Sequence, residues 1–241
     1  MLLEATMSEE NRLSATFDTE ITCPVCDQPF TITKVRSKHM RLEKKDPDNC
    51  PYYTGINPIF YSAYVCPHCG YAALERHFST VTVNGKAEVL NKITPKWKKR
   101  DFSGTRDLKL ATEIHKLVLL NYTVMHYPYH EIAKLCLKLS WFYRYVGDSQ
   151  EQGYLQHAYD MFEKSFTNEA IDEDPNNESN ILYLMGEIAR QLEDYKKSVE
   201  WFGMALQTDG MKTNKQLEKM TRDQWSDAKD AFSKAKKAGK I

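Results

Sequence analysis

The sequence predicts an α+β fold, a small β domain organised around cysteines followed by an all-α domain of repeated helix pairs. Three observations carry the prediction. Two Cys-Pro-x-Cys motifs occur, one from Cys23 to Cys26 and one from Cys66 to Cys69. Around them, β-branched and aromatic residues alternate with polar ones, the pattern of half-buried strands. From Thr105 onward the apolar period changes to three and four residues, the stripe of amphipathic helices.

The first 16 residues read as a disordered tail, with Met7 a candidate start. The opening stretch lacks the charged leader and apolar core of a secretory signal. No apolar run approaches the roughly 20 residues that span a bilayer, so no membrane partner is expected. The chain of 241 residues carries 33 Lys and Arg against 33 Asp and Glu. That balance excludes the strongly basic class for which nucleic acid is the default partner. The expected location is the cytoplasm, where thiols stay reduced and grouped cysteines suggest metal before disulfide.

Residues 17–100 form the expected β domain. Phe30-Thr31-Ile32-Thr33 and Ile59 to Val65 alternate and read as strands. Val81 to Gly85 enters either a hairpin at Asn84-Gly85 or a helix running on to Ile93, so residues 79–95 stay open between the two. The basic stretch from Pro95 to Gly104 marks the boundary, and residues 101–241 form the helical domain.

The thiol motifs carry the chemistry. Two cysteines three positions apart wrap one face of a tetrahedral ion, and two such pairs close the shell. Cys23, Cys26, Cys66 and Cys69 are therefore the candidate ligands of one structural Zn2+. In each loop proline stiffens the turn and backbone amides further on point at sulfur. Gly70, and Asp27 at the matching place, suit the left-handed exit of the turn. The layout is a zinc ribbon with a long excursion between its knuckles. Two alternatives stand beside it. Four reduced core thiols are one, and a thiol oxidoreductase is the other, although that chemistry expects a single motif on a βαβ scaffold. Cys136 falls on an apolar helix stripe and reads as core. Cys50 sits in the polar turn Asp46-Pro47-Asp48-Asn49, where a free thiol competes with a small site built from Asp46, Asp48, Cys50 or His39.

In the helical domain, Ser179 to Gly210 fits the tetratricopeptide pattern. Leu182, Met185-Gly186, Ala189, Tyr195, Ser198, Phe202, Ala205 and Gly210 take its characteristic places. Glycine inside a helix costs about 1 kcal/mol relative to alanine, so Gly186 predicts a close neighbouring helix. A less regular unit, with Trp141, Ala158 and Phe162, spans Glu131 to Phe166. Asn168 to Ser179 reads as a longer link. Such pairs cannot bury their apolar faces alone and stack into arrays; a plain helical bundle is the alternative.

The stretches CPVCDQPF, VRSKHMRLEKKDPDNCPYY, INPIFYSAYVCPHCGYAA, LSWFYRYVGD, YLMGEIARQLEDYKKSVEWF and RDQW resemble a bacterial family of uncharacterised proteins known only as a domain of unknown function. The resemblance covers nearly the whole chain after Thr22. It implies a Cys-Pro-x-Cys zinc ribbon followed by tetratricopeptide-like helices, with Cys23, Cys26, Cys66 and Cys69 as metal ligands. It implies no activity.

The function expected is that of a non-catalytic scaffold whose helices bind a protein or peptide partner. Arg144, Glu187 and Arg190 on helix faces, and Arg36, Arg41, Tyr52 and Tyr53 near the ribbon, are the candidate contacts. Nucleic-acid binding through the ribbon is the alternative. It rests on Lys34, Arg36, Lys38, Arg41, Lys44 and Lys45 with the tyrosines that follow, and Glu43, Asp46 and Asp48 interrupt that run. No Gly-rich phosphate loop or Ser-centred nucleophile motif is present. An enzyme would have to build its site near Asp46, Asp48 and Cys50.

Overall fold

The computed structural model describes residues 15–169 and 175–238. The expected tail lies outside the described residues up to residue 14, and Thr16 already belongs to the first strand. The chain divides into two compact units. One holds the described residues up to Lys45 together with Pro51–Tyr127, and the other holds Asp46–Cys50 together with the described residues from Pro128. No helix among the described residues is long and apolar enough to cross a membrane.

The first unit contains three two-stranded antiparallel sheets. Strand β1 (Thr16–Thr22) pairs with β2 (Pro29–Val35), Thr16 opposite Val35 and Thr22 opposite Pro29. Strand β3 (Met40–Lys45) pairs with β4 (Pro51–Gly55), and β5 (Ala63–Val65) with β6 (Ala72–Leu74). An isolated hairpin is marginal in water, so each needs support from packing or from a cross-link. Helices α1 (Glu75–Phe78) and α3 (Leu108–Val124) pack on β5 and β6, and α2 (Val83–Lys92) packs on α3. Phe78 is the centre of the unit's aromatic core. Its ring meets those of Phe30, Tyr64 and Tyr71 at centroid distances of 5.8, 5.6 and 5.0 Å.

The structure shortens one expected strand, settles the open alternative over residues 79–95 as a helix, and divides into compact units at another place than the expected boundary. The strand expected over Ile59 to Val65 is shortened to Ala63–Val65. Pro58 opens a 3-10 turn over Pro58–Tyr61, and the Asn57 side chain accepts from the Ile59 amide at 3.0 Å, so a local cap overrides the alternation. Asn84-Gly85 is not a hairpin turn, because Thr82 caps α2 by accepting from the Gly85 amide at 3.0 Å. The division falls between Tyr127 and Pro128, not at residue 100. Helix α3 stays with the first unit because it carries side chains that unit needs. Asn121 donates to the Gly70 carbonyl at 3.2 Å, and the Tyr122 hydroxyl accepts from the Leu74 amide.

The second unit is helical: α4 (Tyr129–Arg144), α5 (Gln150–Asn168), α6 (Pro175–Gln191), α7 (Tyr195–Ala205), α8 (Asp209–Thr213) and α9 (Lys215–Lys237). The expected link after Asn168 lies partly outside the described residues, and α6 begins at Pro175, inside its span. Asp194 caps α7 and Asn214 caps α9 through side-chain oxygens, as helix starts require. The close approach expected at Gly186 is present. A Cβ there would lie 2.6 Å from the Phe202 ring. Beside it, the Ser198 hydroxyl donates to the Gly186 carbonyl at 2.8 Å. Leu182, Met185, Ala189, Phe202 and Ala205 are buried on the facing stripes.

Candidate metal centre

Each thiol pair forms the turn of a hairpin. Cys23–Cys26 lies between β1 and β2, and Cys66–Cys69 between β5 and β6. The two turns repeat the same hydrogen bonds. Cys23 donates its amide to the Gln28 carbonyl at 3.0 Å, and Cys66 to that of Tyr71 at 2.8 Å. The Asp27 amide returns to the Cys23 carbonyl at 2.9 Å and the Gly70 amide to that of Cys66 at 3.1 Å. Asp27 and Gly70 both take positive φ, 57° and 79°, so the chain turns sharply after each second cysteine. Backbone amides of Val25 and Cys26 point at the Cys23 sulfur, and those of His68 and Cys69 at Cys66.

All four sulfurs lie within 4.8 Å of one another. Cys23 Sγ and Cys69 Sγ stand 3.7 Å apart, as do Cys26 Sγ and Cys66 Sγ. A tetrahedron of sulfurs about 2.3 Å from a central ion has edges of about 3.8 Å. The spacing therefore fits a thiolate-bound ion, and it is far beyond the roughly 2.05 Å of a disulfide. Cys23, Cys66 and Cys69 are buried and Cys26 is half-buried.

The electrostatics also fit a cation. Hydrogen bonds from the Cys23 and Cys69 thiols hold Cys66 down at about 2. Cys23 is pushed up to about 12, first by Cys66 and then by burial. Cys69 is raised as well, chiefly by Cys23. Four thiols this close share one negative charge readily and four only around a positive ion. Neither motif sits on a βαβ scaffold, as a thiol oxidoreductase would require.

Residues that the sequence did not point to hold the second knuckle from outside. Thr94 donates its hydroxyl to the Cys69 carbonyl at 2.9 Å, Trp97 Nε1 donates to the Pro67 carbonyl at 2.9 Å, and Asn121 reaches Gly70. The Trp97 ring also lies against Gly70, where a Cβ would come within 2.6 Å of it. These residues follow the knuckle by 25 to 51 positions, so no local motif announces them. In the sequence Trp97 reads as part of the boundary stretch and of a basic cluster, Lys96 to Arg100, that would add to a nucleic-acid surface.

In the second unit, the Asp46 and Asp48 side chains of the Asp46–Cys50 turn are taken up by contacts within that unit. Arg144, expected on an exposed helix face, is largely buried and spends its guanidinium inside its own unit. Its NH1 donates to Asp46 Oδ2 and Asp48 Oδ1, its NH2 to Asp48 Oδ2 and Gln191 Oε1, and its Nε to Glu151. Asp48 is fully buried and also accepts from the Cys50 amide at 3.1 Å and from Trp141 Nε1 at 3.0 Å. Cys50 is buried, not exposed in a polar turn, and burial raises its thiol to about 12. Cys136 is core, raised to about 12 by burial alone. Glu187 is also fully buried, against expectation, and accepts from Arg190 at 2.7 and 2.9 Å and from Gln191 at 2.9 Å. Arg36 and Arg41 are exposed, the Arg36 guanidinium 5.0 Å from the Phe17 ring centre, and Tyr52 and Tyr53 are half-buried.

A family model described as an uncharacterized protein conserved in bacteria (DUF2225) matches residues 16–228. No curated protein and no solved structure matches the chain.

Proposed function

This chain belongs to the bacterial DUF2225 family, and we propose that it is a non-catalytic scaffold. In this reading one structural zinc ion organises the first unit and the helical unit binds a protein or peptide. The observation that carries the reading is the closed set of four sulfurs. A shell filled by four thiolates leaves no position for water or substrate. Bound there, the ion supplies a cross-link between two hairpins that are each marginal alone. Cys23 and Cys26 would hold it from the first hairpin, Cys66 and Cys69 from the second. Four free thiols suit a reducing cytoplasm.

Support for partner binding comes from the helical unit. The paired helices and the Gly186–Phe202 contact suit tetratricopeptide-like packing. A surface cleft of about 540 Å³ is lined by Leu192, Tyr195 and Phe232 together with Asp194, Lys196 and Lys236. Apolar walls rimmed by both charges suit a mixed-polarity peptide.

Two measurements test the proposal. Elemental analysis of the native protein should return one zinc per chain, and its absence would remove the metal reading. Crosslinking capture from the source cells should lose a specific protein when Tyr195 and Phe232 are changed to Ala and Glu, with helicity unchanged. Equal recovery by wild type and variant would remove the partner reading.

A further inference from the structure

The β3–β4 hairpin is unlike the other two sheets in one respect: all six residues of β3 are exposed. Cross-strand register assigns the side chains to faces. Leu42 lies opposite Tyr53, Arg41 opposite Thr54, and Lys44 opposite Tyr52, with a register shift between Leu42 and Lys44. Unbroken alternation would put Lys44 on the face of Leu42. The shift adds Glu43 as an extra residue and turns Lys44 onto the face of Arg41, Tyr52 and Thr54, as bulges re-aim side chains. One face is thus basic and aromatic. Lys44 Nζ stands 4.3 Å from the centre of the Tyr52 ring.

Charge is concentrated here although the chain as a whole is neutral. Between Lys34 and Lys45 the sequence has six cations and one carboxylate, Glu43, which accepts from Thr54. Lys34 is paired with Glu75 at 2.8 Å. Lys38, Arg41 and Lys45 are exposed and make no ion pair among the described residues. In the sequence, Glu43 interrupts this basic run and Asp46 and Asp48 end it. In the structure the carboxylates of Asp46 and Asp48 face Arg144, and Asp48 has no exposed surface. Two of the three acids that argue against an anionic partner are thus engaged by Arg144, which offsets their charge in part.

We propose that this hairpin and the turn before it are a docking surface for single-stranded nucleic acid. Arg41 and Lys44 contact phosphates on one face, Lys38 and Lys45 do so at the ends of β3, and Tyr52 stacks on a base. Cations draw any polyanion, but a half-exposed ring set among them favours an unpaired base. An acidic peptide offers no such flat π-face, and a duplex keeps its bases stacked inside. This inference needs neither the zinc reading nor the helical partner to be correct.

Fluorescence anisotropy of the full chain with a labelled 20-nucleotide single-stranded RNA and the equivalent DNA tests it. For single strands log K falls with log salt at about −0.7 per phosphate contact, so four contacts give a slope of about −3 and about a 50-fold loss from 50 to 200 mM salt. Arg41→Glu with Lys45→Glu should weaken binding by more than tenfold and flatten that slope. Tyr52→Ala should weaken binding about tenfold, consistent with a lost stacking contact, and leave the slope unchanged. Lys212→Glu, on the helical unit, should change nothing. Circular dichroism of each variant checks that the chain remains folded. Absence of binding at 50 mM salt would overturn the proposal. So would an equal loss with Lys212→Glu, or equal affinity for polyglutamate, for duplex or for anionic phosphatidylserine vesicles.

Discussion

Arg144 holds Asp48 through two parallel bonds, 3.1 and 2.8 Å, across 96 positions of sequence. Asp48 accepts four donors in all, and the guanidinium is shared with Asp46, Glu151 and Gln191. Burial works against the charge of Arg144, yet Asp48 and Glu151 more than offset it and its pKa rises. A carboxylate so enclosed is tolerable only while its cation remains.

Arg144→Met therefore leaves Asp48 buried and unpaired, which costs about 3–5 kcal/mol. Asp48→Asn in the same background should recover part of that loss. Urea unfolding of the two singles and the double measures the coupling, and strictly additive effects would show that the pair is not a unit.

Trp97 braces the metal-side knuckle by a bond from Nε1 to the Pro67 carbonyl and by its ring on Gly70. Trp97→Phe keeps the ring and loses the donor. Groups that orient ligands from outside typically change metal affinity 10- to 100-fold when removed, and the low end of that range is expected here. Chelator competition on the zinc- or cobalt-loaded protein reads it. Gly70→Ala should be worse, since it meets both the ring and a φ of 79°.

Gly186→Ala tests the helix packing. On helix propensity alone the change gains about 1 kcal/mol. Because the new methyl would meet the Phe202 ring at 2.6 Å, overpacking of about 1–3 kcal/mol is expected to win. Phe202→Leu in the same chain should relieve it. A stabilised Gly186→Ala single variant would mean that the two helices are not held this close.

Glu169 serves as the missing cap of α4, which Pro128 does not provide. Its carboxylate accepts from the amides of Tyr129 and His130 and from the Ser165 hydroxyl. Burial raises its pKa, but these donors outweigh burial and the net shift is downward from 4.5. A depressed folded pKa adds stability above the unfolded value and loses it as pH falls through the folded one. Glu169→Gln should cost about 1 kcal/mol at neutral pH. The gap in thermal midpoint between variant and wild type should close below pH 4.5, and a gap independent of pH would refute the cap.

Much of the metal site was legible because its geometry is local. Two cysteines three positions apart, with proline between them and a residue able to turn left after them, define a knuckle whatever surrounds it. Asp27 and Gly70 adopt the backbone expected of them for that reason. Gly186 was legible in the same way, since a residue unfavourable to its own helix signals a neighbour. The strand expected over Ile59 to Val65 failed because Asn57 and Pro58 form a cap that apolar alternation does not record.

The sequence by itself determined the two knuckles, the change from strand to helix periodicity and the glycine that admits Phe202, all of which depend on residues within a few turns of one another. Tertiary structure alone decided that α3 belongs with the thiol-bearing unit, that Trp97 and Asn121 brace its second knuckle, and that Arg144 is spent on Asp48. Those choices depend on which distant donor meets which buried acceptor. That pairing is a property of the folded packing, and no spacing along the chain encodes it.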